Sequence, residues 1–150
     1  MDWLISGASL AVGFLLAQAG AEWEMHRKRT EARMAALAAK TARRHAELRL
    51  AVERQLWFTN ILLALRRQGI SGDPTGATFS DIHGGSLFRA ALLAGEYPKL
   101  KVAIDAHRAL GSQLWSLAPG TAEEVDALTK SIGELEFAIN REMVELGIIG

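Results

Sequence analysis

The chain has 150 residues, with 17 basic and 17 acidic side chains and therefore a formal net charge of zero. This length accommodates one modest domain with an anchor and excludes two full-sized cores. Zero net charge argues against a surface built as a whole for nucleic acid. The chain contains no cysteine, which excludes disulfides, thiolate nucleophiles and cysteine-based zinc or iron–sulfur sites.

The first segment of the chain is uncharged from residue 3 to residue 21. At about 1.5 Å per residue, a helix of this length spans about 28 Å, close to the hydrocarbon thickness of a bilayer. Trp3 and Trp23 bracket the segment, and indole rings favour the two membrane interfaces. We therefore predict a transmembrane anchor over residues 1–21, with these two tryptophans as its interfacial belt.

Two alternatives to a membrane span remain open for this segment. Residues 17–19 (Ala-Gln-Ala) have the small-x-small form of a signal-peptide cleavage site. The two residues before the uncharged segment include the acidic Asp2 and no basic residue, and the chain after residue 21 is strongly basic. Both features oppose export. The other alternative is a buried helix of a soluble protein, against which the uncharged length and the flanking tryptophans argue.

Basic residues concentrate directly after the uncharged segment, at Arg27, Lys28, Arg29 and Arg33. Basic residues that flank a span stay on the cytoplasmic side. We therefore expect the N-terminus outside the cell, the remainder in the cytoplasm, and the anchor in the inner (plasma) membrane. The same cluster either sets the topology alone or also contacts anionic lipid headgroups.

One stripe of the predicted span consists of small residues at spacings of three and four. Small side chains allow a second helix to approach closely, which stabilises helix pairs in lipid. The expected partner is a larger integral membrane complex or another copy of this chain, although Ala- and Gly-rich spans also show such stripes by chance. The stripe comprises Ser6, Ser9, Gly13, Ala17 and Gly20.

The remaining chain is predicted to be all-α. Residues 22–47 are rich in helix formers and predict a basic juxtamembrane helix or stalk. Residues 48–150 predict a small cytoplasmic helical bundle, interrupted by a Gly-rich loop at 69–85. In the first bundle helix, one apolar face includes Leu48, Val52 and Leu62, and a neighbouring one includes Leu50 and Trp57, so we expect burial on several sides.

The last predicted helix opens with Thr121 and Glu124 in the spacing of a capping box. Its apolar residues recur in a heptad-like seam, suited to packing along another helix. Residues 22–69 hold 11 basic and 5 acidic residues, whereas residues 121–150 hold 2 and 7, so we favour antiparallel packing within the chain. The alternative is a coiled coil with a partner chain. The seam comprises Val125, Leu128, Ile132, Leu135, Ile139, Met143 and Leu146.

No catalytic, metal or cofactor motif emerges from the sequence. The four histidines show no metal-ligand spacing, and His107 lies on an apolar helical stripe typical of a core histidine. Ser80, Asp81 and His83 share a loop, but adjacency in sequence rarely supplies the geometry of a catalytic triad. Capping of the next helix is the simpler explanation of Ser80 or Asp81, and no small-molecule substrate or nucleic-acid partner is indicated.

Together these patterns predict a non-catalytic, single-pass membrane protein. We expect an accessory or assembly subunit that packs against a larger membrane complex, for example an energy-transducing one. The alternative is a self-associating, membrane-tethered adaptor or scaffold that uses the heptad helix at the end of the chain. The Ala, Arg, Leu and Gly content suggests a bacterial source.

Overall fold

The computed structural model describes residues 2–70, 88–117 and 122–150, with side chains described from residue 17 onward in these ranges. Every regular element in the described ranges is helical, which confirms the all-α prediction. Helix α1 covers Asp2–Arg67, α2 covers Pro98–Ser116 and α3 covers Ala122–Glu145. A 3₁₀ turn at Ala94–Glu96 follows helical residues 88–93 and precedes α2.

The chain divides into two compact units, Met1–Ala42 and Arg43–Gly150. We call the second unit the bundle. In the first unit, residues 2–16 are described as part of helix α1 but not in their side chains, so the predicted roles of Trp3, Ser6, Ser9 and Gly13 lie outside what the structure describes. Within the part that is described, no helix combines the length and the apolar composition needed to cross a membrane.

Side-chain contacts fix the directions of the bundle helices. On α1 and α2, Gln55 contacts Ile104 and, further along both helices, Arg66 contacts Leu114. The two helices therefore run parallel. Asn60 of α1 contacts Glu136 of α3. Seven residues later on α1, Arg67 contacts Thr129, seven residues earlier on α3, so α3 runs antiparallel to α1, as predicted.

Two helices end at a glycine in the left-handed conformation. Gly69 follows α1 with φ of 73° and Gly147 follows α3 with φ of 65°. In each case the backbone amide of the residue after the glycine donates a hydrogen bond to a carbonyl in the last turn of the helix. Ile70 donates to Leu65 at 3.0 Å, and Ile148 donates to Met143 at 2.9 Å. This is the Schellman arrangement, which satisfies the last carbonyls of a helix. Capping by Thr121 and Glu124 cannot be compared, because Thr121 lies outside the described residues.

Two apolar clusters form the core of the bundle. The larger one joins Leu48 and Val52 of α1 to Ile104 of α2 and Ile139 of α3. The smaller one joins residues near the other end of the same helices, including Leu62, Leu114 and Ile132. These side chains are almost fully buried. Four residues of the predicted α3 seam belong to the buried core and the other three are partly buried: Val125, Ile132, Ile139 and Met143 are buried, and Leu128, Leu135 and Leu146 are partly buried.

The prediction of burial on several sides of α1 is wrong for its second face. Leu50 is 49% exposed and Trp57 is 53% exposed, while Ile61 and Leu65 are partly buried. The neighbours α2 and α3 both pack against the face that carries Leu48 and Val52. Ala90 and Ala91 of helical residues 88–93 join the same cluster, so the described neighbours of α1 bury this face, and Leu50 and Trp57 on the second face are about half exposed.

Candidate functional site

A layer of polar side chains separates the two apolar clusters. We call this set, Gln55, Thr59, His107 and Glu136, the polar layer. Gln55, Thr59 and His107 are each at most 1% exposed, and the side chain of Glu136 is 24% exposed. Each helix contributes to the layer at the point where its apolar stripe passes from one cluster to the other. In this layer, hydrogen bonding replaces apolar packing between the two clusters.

The hydrogen bonds of Gln55 assign the proton of the His107 ring. The Gln55 amide nitrogen donates to the carbonyl of Ile104 at 3.1 Å and faces Nδ1 of His107 at 3.1 Å. A nitrogen that faces a carbonyl must be the NH₂ group, so Nδ1 accepts and carries no proton. The neutral ring therefore carries its proton on Nε2, which points towards the Glu136 carboxylate at 3.6 Å.

Two buried polar atoms of the layer have no hydrogen-bond partner among the described residues, namely Oε1 of Gln55 and Nε2 of His107. The separation of 3.6 Å between Nε2 and Glu136 exceeds hydrogen-bonding distance. Glu136 Oε1 instead accepts a hydrogen bond from Asn60 at 3.0 Å. The layer is consequently held on one side by good hydrogen bonds and on the other by electrostatic attraction.

This geometry is that of a structural layer. A histidine that ligates a metal presents an unprotonated nitrogen to the ion and donates its other N–H to an acceptor. His107 has the reverse arrangement, because a donor faces Nδ1 and the proton lies on Nε2. Within the described residues, His, Asp and Glu side chains form no group of three or more that could hold a metal ion. The prediction that His107 is a core histidine is confirmed.

Arg66 is the second buried polar feature that sequence reasoning missed. The residue is 7% exposed. Its guanidinium donates to the carbonyls of Leu114 at 3.0 Å and Trp115 at 2.8 Å, and also to that of Ile70. The first two carbonyls belong to the last turn of α2, where carbonyls lack partners within the helix. A single side chain of α1 therefore completes the end of α2.

A sequence signal for these residues existed. Along α1, Leu48, Val52 and Leu62 belong to a stripe with spacings of three and four. The remaining positions of the same stripe are polar and are occupied by Gln55, Thr59 and Arg66. A polar residue in register with a core stripe indicates a buried hydrogen-bonding partner on a neighbouring helix.

The other histidines are placed separately. His45 Nε2 lies 3.0 Å from the hydroxyl of Tyr97, and the two rings meet edge to face. His26 is exposed on α1. Ser80, Asp81 and His83 lie outside the described residues. The described histidines are thus far apart along α1 and α2, and only His107 is fully buried.

The first unit presents a helix without burial. All residues from 17 to 42 are exposed, including Ala17 and Gly20 of the small stripe and the basic residues Arg29 and Arg33. Arg27 pairs with Glu31 at 3.2 Å and Lys28 pairs with Glu24 at 2.9 Å, each within one turn of helix. Trp23 is 69% exposed, with the Arg27 guanidinium 6.0 Å from its ring.

The bundle presents two exposed surfaces with apolar residues. A groove of about 510 Å³ between α2 and α3 is lined by Val102, Ala106, Leu135 and Ala138 among others. The second surface is at Phe88, the first of helical residues 88–93. Its side chain is exposed, and Cζ of Arg108 lies 5.0 Å from the centre of its ring. Of the predicted seam of α3, Leu135 lines the groove between α2 and α3, whereas Val125, Ile132, Ile139 and Met143 are buried within the bundle.

Comparisons with protein-family models, with curated proteins and with solved structures found no match to this chain.

Proposed function

We propose that the chain is a non-catalytic, single-pass membrane protein that works by contact, as an accessory or assembly subunit of a larger membrane complex. An energy-transducing complex is the kind of host we have in mind. The observation that carries the proposal is the uncharged segment 3–21 followed at once by Arg27, Lys28, Arg29 and Arg33. A segment of this length suits the bilayer, and the basic cluster sets its orientation.

The described residues support a role in binding rather than in catalysis. The buried polar groups of the bundle, Gln55, His107 and Arg66, face carbonyls and one another, which is the use expected of a folded support. The exposed apolar side chains lie instead on the surface of the bundle and along the first unit, where Trp23 and Leu37 are exposed. A contiguous apolar surface, such as the groove between α2 and α3 lined by Val102, Ala106 and Leu135, is typical of a protein that binds a partner.

In this proposal the bundle lies in the cytoplasm and the N-terminus lies outside the inner (plasma) membrane. The partner in the lipid phase is a helix that packs on the stripe of Ser6, Ser9, Gly13, Ala17 and Gly20. Close approach of two backbones in lipid depends on such small residues. That helix belongs to a larger complex or, in a self-associating adaptor, to another copy of the chain.

Replacing Leu10 and Leu15 together with arginine is expected to remove the protein from the membrane. Each arginine near the centre of a span costs about 2.5–3.5 kcal/mol on the insertion scale. The measurement is the distribution of the full-length chain between carbonate-washed membranes and the soluble fraction. The matched control places two arginines at Ala36 and Ala39, both exposed on α1 outside the segment, and should remain in the membrane.

A wild-type chain found in the soluble fraction without detergent would contradict the anchor. Topology is measured separately with a single cysteine at exposed Ser131, since the natural chain offers no competing thiol. A membrane-impermeant maleimide should label this cysteine only after the cells are opened. Labelling in intact cells would contradict a cytoplasmic bundle.

Replacing Gly13 and Ala17 together with leucine is expected to release the chain from its partner while it stays in the membrane. The larger side chains separate the two helix backbones, and close packing is what holds helices together in lipid. The measurement is co-purification from native membranes in mild detergent. Leu4→Ile with Leu15→Ile, on the opposite side of the predicted helix, is the matched control and should retain the partner. Unchanged co-purification of the Gly13 and Ala17 variant would count against the stripe.

A further inference from the structure

The exposed part of α1 in the first unit carries a heptad pattern of its own. Trp23, Thr30 and Leu37 recur every seven residues, and Met34 lies between the last two at the other core position of the heptad. Met34 is 63% exposed and Leu37 is 59% exposed, so their apolar surface is not used within the bundle. We call the full set the juxtamembrane seam, and it comprises Trp23, Arg27, Thr30, Met34, Leu37 and Thr41.

Charges flank the juxtamembrane seam with opposite sign on its two sides. On one side, position g of the heptad holds His26, Arg33 and Lys40 in succession. On the other side, position e holds Glu24 and Glu31. In a parallel pair of helices, position g of one chain faces position e of the other. In an antiparallel pair, basic g residues would face one another, and like charges would repel.

We propose that the juxtamembrane seam binds a second copy of this chain as a parallel, two-stranded coiled coil. This inference rests on the proposed function in one respect, since two chains anchored in one membrane are already held in the parallel orientation. The flanking charges select the same orientation independently, because only the parallel pair brings His26 near Glu31 of the second copy. The protein therefore enters its membrane complex as a dimer.

Two polar members of the seam, Thr30 and Arg27, already have partners within one helix. Thr30 donates its hydroxyl proton to the carbonyl of His26 at 2.9 Å. Arg27 pairs with Glu31 and lies beside the ring of Trp23, so its charge is balanced where two copies meet. A single charged residue at a core heptad position lowers stability but specifies register and the number of strands. Arg27 has that role in the dimer.

The same heptad frame extends into the predicted anchor. Counting back by sevens from Arg27 gives Gly20, Gly13 and Ser6, and counting back by sevens from Trp23 gives Leu16 and then Ser9. Four of the five small-stripe positions thus fall in the core positions of the frame. Small residues let two helices approach closely in lipid, and this register supplies them at four of the five core positions between residues 6 and 20, with Leu16 at the fifth.

Single cysteines in the otherwise cysteine-free chain test the dimer directly. Thr30→Cys and Leu37→Cys each occupy the core position that faces itself in a parallel pair, within the Cα separation of about 4.4–6.8 Å that a disulfide requires. Oxidation of the full-length chain in nanodiscs or in native membranes should shift both to twice the chain mass. Ala32→Cys and Ala36→Cys, on the outer positions of the same turns, should remain at the mass of one chain.

Equal crosslinking at all four positions would indicate random collision and would overturn the seam. Absence of crosslinks at residues 30 and 37, with helicity retained by circular dichroism, would show a solitary solvated helix and would also overturn it. A chain that crosslinks at 30 and 37 but is found in the soluble fraction contradicts the anchor and leaves the dimer standing. The failure of the inference and the failure of the proposed function are therefore distinguishable.

Charge exchange provides a second, independent readout. Glu31→Lys places a basic residue opposite His26 of the second copy and should raise the fraction of monomer measured by mass in mild detergent. Adding His26→Glu in the same chain should restore the dimer, although it cannot restore the pair between Arg27 and Glu31 within one helix. Glu22→Lys makes the same change of charge on the outer face and should have no effect. Failure of the double variant to recover would contradict the parallel pairing.

Discussion

Replacing Arg66 with methionine is expected to lower the free energy of unfolding by about 3 kcal/mol. Methionine keeps most of the apolar stem of the side chain but removes the donors that now bind the carbonyls of Ile70, Leu114 and Trp115. Hydrogen bonds from a charged group contribute about 1.5–3 kcal/mol each, and their losses do not simply add. The end of α2 would be left with unpaired carbonyls beside an apolar cluster.

The measurement is urea unfolding of the full-length chain in mild detergent, followed by circular dichroism. Arg67→Met is the matched control, because Arg67 is the next residue, is exposed, and contacts only the hydroxyl of Thr129 at 3.4 Å among the interactions described here. Exposed side chains of this kind change stability by less than about 0.5 kcal/mol. Equal losses for the two variants would show that Arg66 does not hold the end of α2.

Replacing Gln55 or His107 with leucine is expected to cost about 2 kcal/mol in each single variant, and less than the sum in the double variant. Each single change leaves a buried polar group of the other residue without its partner, and an orphaned buried group costs about 1–3 kcal/mol. When both residues are leucine, the two apolar clusters are joined by apolar side chains. The coupling between the two changes should therefore reach at least about 1 kcal/mol.

Urea unfolding of the wild type, both single variants and the double variant gives this coupling. Asn60 and Glu136 form the matched control cycle at the solvent-facing edge of the same layer, where Asn60 is exposed. Exposed pairs of this type contribute little, so their coupling should be close to zero. Strict additivity for Gln55 and His107 would mean that the hydrogen bond between them adds nothing to the bundle.

The core of the bundle could be predicted where apolar spacing was regular. The seam of α3 was the cleanest pattern in the sequence, and Ile132, Ile139 and Met143 are buried. The second apolar face of α1 was predicted to be buried and is largely exposed at Leu50 and Trp57. Composition shows that a face is apolar, but only the positions of neighbouring helices decide whether it is covered.

The polar interior was harder to predict from the sequence. Gln55, Thr59 and Arg66 are helix-compatible polar residues in a stretch that also contains exposed ones, so residue type alone does not mark them as buried. Their partners lie about 50 residues away on α2. These hydrogen bonds form only because α1 and α2 run parallel. No local sequence pattern predicts the relative direction of two helices that are separated by a long connection. The register of the α1 stripe was the available signal.

The parallel course of α1 and α2 has an electrostatic consequence. The aligned peptide dipoles of a helix give its carboxyl end a partial negative charge of about half an electron. In this bundle the negative ends of two helices lie side by side, and like partial charges repel. Arg66 binds carbonyls from beyond the end of α1 and from the last turn of α2, so one permanently charged cation neutralises both. Because this cation is buried, added salt should screen it far less than it screens the exposed ion pairs of the first unit.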